Sequence, residues 1–104
     1  MSSEREYAFR HVVLFRWTAD STSEQRTGAI EALRRLGREV ADLGRLVVGT
    51  DAAMVEGNFD AAVVVDFASR KDYQTYAALP AHLQAVAEHL RPILAARAAV
   101  QHDI

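Results

Sequence analysis

Cysteine is absent from the 104 residues, which removes disulfides, thiolate nucleophiles and Cys-ligated zinc from consideration. A basic block is missing as well. The formal net charge is −2 and the 12 Lys and Arg are scattered, whereas nucleic-acid and anionic-membrane surfaces need them clustered. No apolar run approaches the roughly 20 residues that span a bilayer. The polar start MSSEREY has neither the apolar stretch of a secretion signal nor the glycine of a myristoylation site. Repeats, low-complexity tracts and linkers do not occur. What remains is an ordinary globular composition, 50% apolar and 25% charged. It leads us to expect one domain over residues 1–104, flexible over 1–8, in the cytoplasm.

Phe9 to Trp17 is β-branched and aromatic and reads as a strand. Thr22 with Gln25 forms a capping-box signature. Ile30, Leu33, Leu36 and Val40 follow at helical spacing, in a helix of about five turns that ends near Asp42 or Gly44. Leu46–Gly49 is a short second strand, residues 50–60 a polar loop, and Ala61–Phe67 a third strand. Ser69 with Asp72 caps a helix over Lys71–Ala78. Leu79 breaks it, because a residue before proline is biased away from helical angles. Pro80 then opens a third helix, which carries Leu83, Val86 and Leu90 on one face and stops around Arg91-Pro92. Arg97–Ile104 can form a fourth strand. The order is that of the ferredoxin-like α+β fold, a four-stranded antiparallel sheet with helices on one face.

The strands do not alternate as a half-wet sheet should. Phe9, His11, Val13, Phe15 and Trp17 lie on one side of strand one, yet Val12 and Leu14 lie on the other. Strand three sets Val63, Val65 and Phe67 against Ala62 and Val64. Helices cover one face only, so a second copy of the sheet is expected to cover the other, in a homodimeric α+β barrel. Permanent homodimer interfaces bury on the order of 2,000 Å² or more. Arg10 and Arg16 would then sit at the rim, and Asp66 would partner a rim arginine such as Arg16.

The segments RHVVLFRW and DYQTYAALPAHLQAVAEHLRPIL resemble the stress-responsive dimeric α/β-barrel (Dabb) family, over Phe9 to Asp103. Its most specific parts are the histidine opening strand one, His11, and the Tyr-x-x-x-Pro-x-His segment, and the chain is similar to olivetolic acid cyclase-type members. The resemblance implies a cyclase or lyase acting on a polyketide-like carbonyl substrate, with Tyr76 and His82 as the acid–base pair and His11 as a pocket histidine. Two further pocket positions hold Leu79 and Ala61 where that cyclase has histidines. A non-catalytic stress-responsive or ligand-binding oligomer is the alternative, and a monooxygenase-like or haem-handling relative a third.

In the catalytic reading His82, in the first turn of its helix, is kept neutral by the helix dipole and acts as general base. Tyr76 then holds a developing enolate oxygen. In the structural reading the two merely pack at the helix start. The expected pocket takes a small apolar or aromatic ligand among Val13, Phe15, Ile30, Leu33, Val63, Tyr76 and Ile93, with His11 and His82 as its polar groups. His11 reads rather as a partly buried ring with one hydrogen-bond partner. His82 and His89 stand about 10 Å apart along a helix, too far to share a metal. No metal, cofactor, nucleic acid or membrane is expected. Gly28 and Gly37 reflect close packing or a bend.

Overall fold

Phe9–Trp17 (β1) is one of the two inner strands of a sheet ordered β2 (Gly44–Thr50), β3 (Ala61–Phe67), β1, β4 (Leu94–Asp103), all neighbours antiparallel. The computed structural model describes residues 6–104. After β1 come α1 (Ser23–Glu39), β2 (Gly44–Thr50), β3 (Ala61–Phe67) and α2 (Arg70–Ala78). Next is α3 (Pro80–Ala85), which runs on through a π-helical turn, Val86–Leu90, and a 3-10 turn, Arg91–Ile93, into β4 (Leu94–Asp103). The ferredoxin-like fold expected from the sequence is the one observed. Residues 1–5 lie outside the described part, so the flexibility expected over 1–8 is not addressed there. Ala8, by contrast, is held by Phe67 O (2.9 Å) and by the Ile104 amide (3.0 Å).

Local chemistry accounts for the element ends. Thr22 Oγ1 accepts from the Gln25 amide (3.0 Å) while Gln25 Oε1 accepts from the Thr22 amide (2.8 Å), the reciprocal bonding of a capping box. Ser69 Oγ accepts from the Asp72 amide and starts α2. The third helix departs from the α-helix expected up to Arg91. Pro92 cannot donate to the turn before it; the Arg91 amide instead reaches back to Val86 O, five residues away. The last strand begins three residues earlier than expected, at Leu94.

One face of the sheet carries Phe9, Val13, Phe15, Val63, Val65 and Phe67 against Ala29, Ile30, Leu33 and Leu36 of α1, all buried. Each large side chain so buried stabilises by about 1.5–3 kcal/mol. Helix α1 approaches β2 closely at Gly37, where a Cβ would come 3.3 Å from Leu46 Cβ; close packing, not a bend, is the reason for that glycine. At Gly28 a Cβ would meet nothing within 4 Å.

The opposite face is organised in rows that cross all four strands. Val47, Val64, Val12 and Val100 stand in one row, and Gly49, Ala62, Leu14 and Ala98 in the next. Among the described residues no element lies over them, and Val47 and Val100 are 51% and 59% exposed. The third row is Arg45, Asp66, Arg10 and His102. Asp66 therefore pairs with Arg10, at 2.7 and 2.9 Å, and not with Arg16 as expected. Register decides this, since Arg10 lies directly across from Asp66. Arg16 instead donates to Gly57 O (2.9 Å) and lies over the Phe59 ring.

Candidate active site

Leu79 is the pivot of the site. Its extended backbone (φ −64°, ψ 135°) ends α2 and starts α3, with Pro80 supplying the first helical residue. The reversal folds His82 back against the end of α2. Its Nδ1 lies 3.2 Å from Ala77 O. A carbonyl only accepts, so Nδ1 carries the proton and Nε2 is left as the acceptor. The same bond satisfies a carbonyl that the helix end leaves without a partner. His82 and Tyr76 pack ring to ring, with centroids 4.5 Å apart and planes at 45°.

Both side chains reach a cavity of about 330 Å³ between α3, its π-helical extension, β1 and β4. That volume is at the lower end of the range for small-ligand sites. Val13, Phe15, Leu33, Val63, Leu83, Val86, Leu90 and Leu94 supply the apolar wall, and Arg91 and Arg97 its charge. The Tyr76 hydroxyl makes no hydrogen bond with the described residues, and no sealed side-chain oxygen is left unpaired. Its oxygen is therefore not sealed off, and Tyr76 is among the residues that line the cavity.

Burial lowers the His82 pKa below the ordinary histidine value, helped by Arg97 and opposed by the Ala77 carbonyl. Desolvation thus keeps the ring neutral, where the sequence pointed to the helix dipole. Burial, with a contribution from Tyr73, raises the Tyr76 pKa well above the usual phenol value. At neutral pH the pair is a neutral imidazole and a protonated phenol.

Of the expected lining, Val13, Phe15, Leu33, Val63, Tyr76 and His82 come together, and His11, Ile30 and Ile93 do not. His11 lies one pleat along β1 from Val13, beneath α2 rather than α3. Its ring contacts Tyr73 (4.9 Å) and Tyr76 (6.3 Å between centroids). Gln101 Nε2 donates to His11 Nδ1 at 2.8 Å, so this histidine has the single partner expected of it. Burial first, then Arg97 and His82, push its pKa down to about 4. Ile30 lies nearly one turn from Leu33 and lines a more open, charged groove at the start of α1. Ile93 is turned by the 3-10 segment toward Gly28 and Thr27.

Arg97 is the functional candidate that sequence reasoning missed. It stands directly opposite Phe15 on β4, and it is the lone charge in the run LAARAAV. Leu83, Val86, Leu90, Leu94 and Arg91 were likewise not assigned to the cavity. His89 sits 3.9 Å from Glu88, and His102 Nδ1 donates to Asp103 O (2.9 Å); neither reaches the cavity. Among the described residues no three His, Cys, Asp or Glu side chains gather as metal ligands. No described helix is long and apolar enough to cross a membrane.

The model of the stress responsive A/B barrel domain matches residues 9–103. The chain belongs to that family. A dimeric ferredoxin-like protein of unknown function from Thermobifida fusca shares 34% identity, over 96% of this chain and 93% of that one, with a TM-score of 0.86. The hydroxynitrile lyase of Passiflora edulis is 20% identical over 94% of each chain, with a TM-score of 0.79. A monooxygenase-like protein from Chloroflexus aurantiacus is 20% identical, over 93% of this chain and 92% of that one, with a TM-score of 0.70. The last two share the fold with this A/B barrel protein and carry nothing further. Among curated proteins none matches.

Proposed function

We propose that this A/B barrel protein is a homodimeric enzyme of the cyclase or lyase type, acting without a cofactor on a small carbonyl compound, with His82 as general base and Tyr76 as hydrogen-bond donor. One observation carries the reading: a neutral histidine and a protonated phenol meet, 4.5 Å between ring centroids, on the wall of an apolar cavity. His82 Nε2 takes a proton from the carbon beside a carbonyl. The Tyr76 hydroxyl donates to the enolate oxygen that forms, and keeps its own proton because its ionisation is displaced far upward. The carbanion then attacks a second carbonyl of the same molecule, a carbon–carbon bond closes, and the imidazolium returns its proton to the new alkoxide. Nothing is oxidised or reduced.

The valine row and its alanine and leucine neighbours support the dimer, since an open apolar sheet face is costly in water. The description of the T. fusca relative as dimeric supports it too. Likeness in fold to a hydroxynitrile lyase is compatible with the chemistry, although one fold hosts many reactions.

The test is turnover of a linear 3,5,7-triketo acid and of its N-acetylcysteamine thioester, with carbocyclic product followed by chromatography and mass detection. We expect accelerated ring closure, and a loss of about 10²–10⁴-fold in His82→Gln, the usual worth of a positioned base. Tyr76→Phe should cost about 10²-fold. Because the His82 pKa is lowered, the rate should rise with pH only in the acidic range and be level at neutrality. A native protein that binds these compounds without turnover, and binds them equally well as His82→Ala, would be a ligand-binding oligomer instead.

A further inference from the structure

The charge of the cavity is one-sided. Arg91 and Arg97 line it and no Asp or Glu does, in a chain whose net charge is −2. Two arginines elsewhere are paired, Arg10 with Asp66 and Arg70 with Asp103. Arg91 and Arg97 have no ion pair among the described residues. Arg97 is also well placed for a ligand. It extends from β4 directly across from Phe15 on the helix side of the sheet, so its guanidinium borders the apolar wall. Arg91 comes from the end of the helical run.

We propose that Arg97, assisted by Arg91, is the specificity-determining anchor of the site and that the substrate is an organic monocarboxylate, its acid group on the guanidinium and its apolar body against Val13, Phe15 and Val63. This rests on the cavity being the substrate site. The planar guanidinium fork matches the two oxygens of a carboxylate. Arg97 also opposes protonation of both His11 and His82. A bound carboxylate offsets that field, so the acid that the site selects also makes His82 a stronger base.

The experiment titrates the native protein with 4-butylbenzoate and its neutral counterpart 4-butylbenzamide, followed by amide NMR, and repeats it with Arg97→Gln and Arg97→Lys. Native protein should bind the benzoate at least about tenfold tighter, as a charge-assisted pair warrants. Arg97→Gln should abolish the preference while leaving benzamide affinity unchanged, and Arg97→Lys should keep part of it. The His82 ring should titrate higher in Arg97→Gln and in the benzoate complex, a readout that a merely structural arginine would not move. If Val13, Val63 and Val86 respond to both probes with equal affinities, the anchor is overturned and the cavity stands. If they respond to neither, the cavity reading falls and takes the anchor with it.

Discussion

His11 couples the fold to pH. Buried beneath Tyr73 and Tyr76 and bonded to Gln101, it is held near a pKa of about 4 in the folded protein, against about 6.5 in an unfolded chain. Between those values the unfolded chain binds the proton that the folded one refuses. Stability owed to the neutral ring is therefore complete above about pH 6.5 and declines as the pH falls toward 4. We expect about 2 kcal/mol from this source, the full linkage being discounted for solvent screening. Urea midpoints measured from pH 7.5 to pH 4.5 should fall, and His11→Gln should flatten the slope. The lowered His82 pKa works in the same direction. At this scale Tyr76 and His82 were singled out by the family resemblance of the Tyr-x-x-x-Pro-x-His segment, while the residues themselves told only that Leu79-Pro80 breaks one helix and starts the next. Arg97 was not. Its facing depends on pairing with Phe15, a residue 82 positions earlier in the chain.

The elements were readable where their ends carry their own chemistry. Thr22 with Gln25 and Ser69 with Asp72 announce helix starts, and both caps are made. The π-helical turn was not readable, since it arises from a conflict. Pro92 withholds a donor while Leu90 and Ile93 must both stay buried. The wider turn reconciles the two, and it brings Val86 and Leu90 to the cavity wall. Gly44, where β2 begins, was overlooked for a similar reason. A Cβ there would lie 2.8 Å from both Asp66 O and Phe67 Cδ1, and Phe67 is fully buried. Gly44→Ala should cost about 1–3 kcal/mol, as overpacking does, seen as a lower urea midpoint with little change in its slope.

For the whole molecule, the decisive feature was visible before any coordinates: valine, leucine and alanine on both sides of strands that helices can cover on one side only. The alignment of four valines into a continuous row was not, because register between distant strands does not follow from composition. In the proposed dimer that row is the centre of the interface. Val12→Arg inserts an unpaired charge there and should shift sedimentation at micromolar concentration from twice the chain mass to one. A spectrum that keeps its secondary structure would separate dissociation from unfolding. A protein that sediments as one chain before any substitution would remove the barrel.

The last strand has a consequence of its own. Among the described residues β4 is hydrogen-bonded along one edge, to β1, and residues 97–103 are exposed. A ribbon secured on one side peels before the rest of its sheet. This one carries Arg97 and Gln101, so lifting it would take the cation from the cavity and the partner from His11. Breathing of the sheet margin and readiness of the site are thus one equilibrium, and whatever fastens the margin also arms the site.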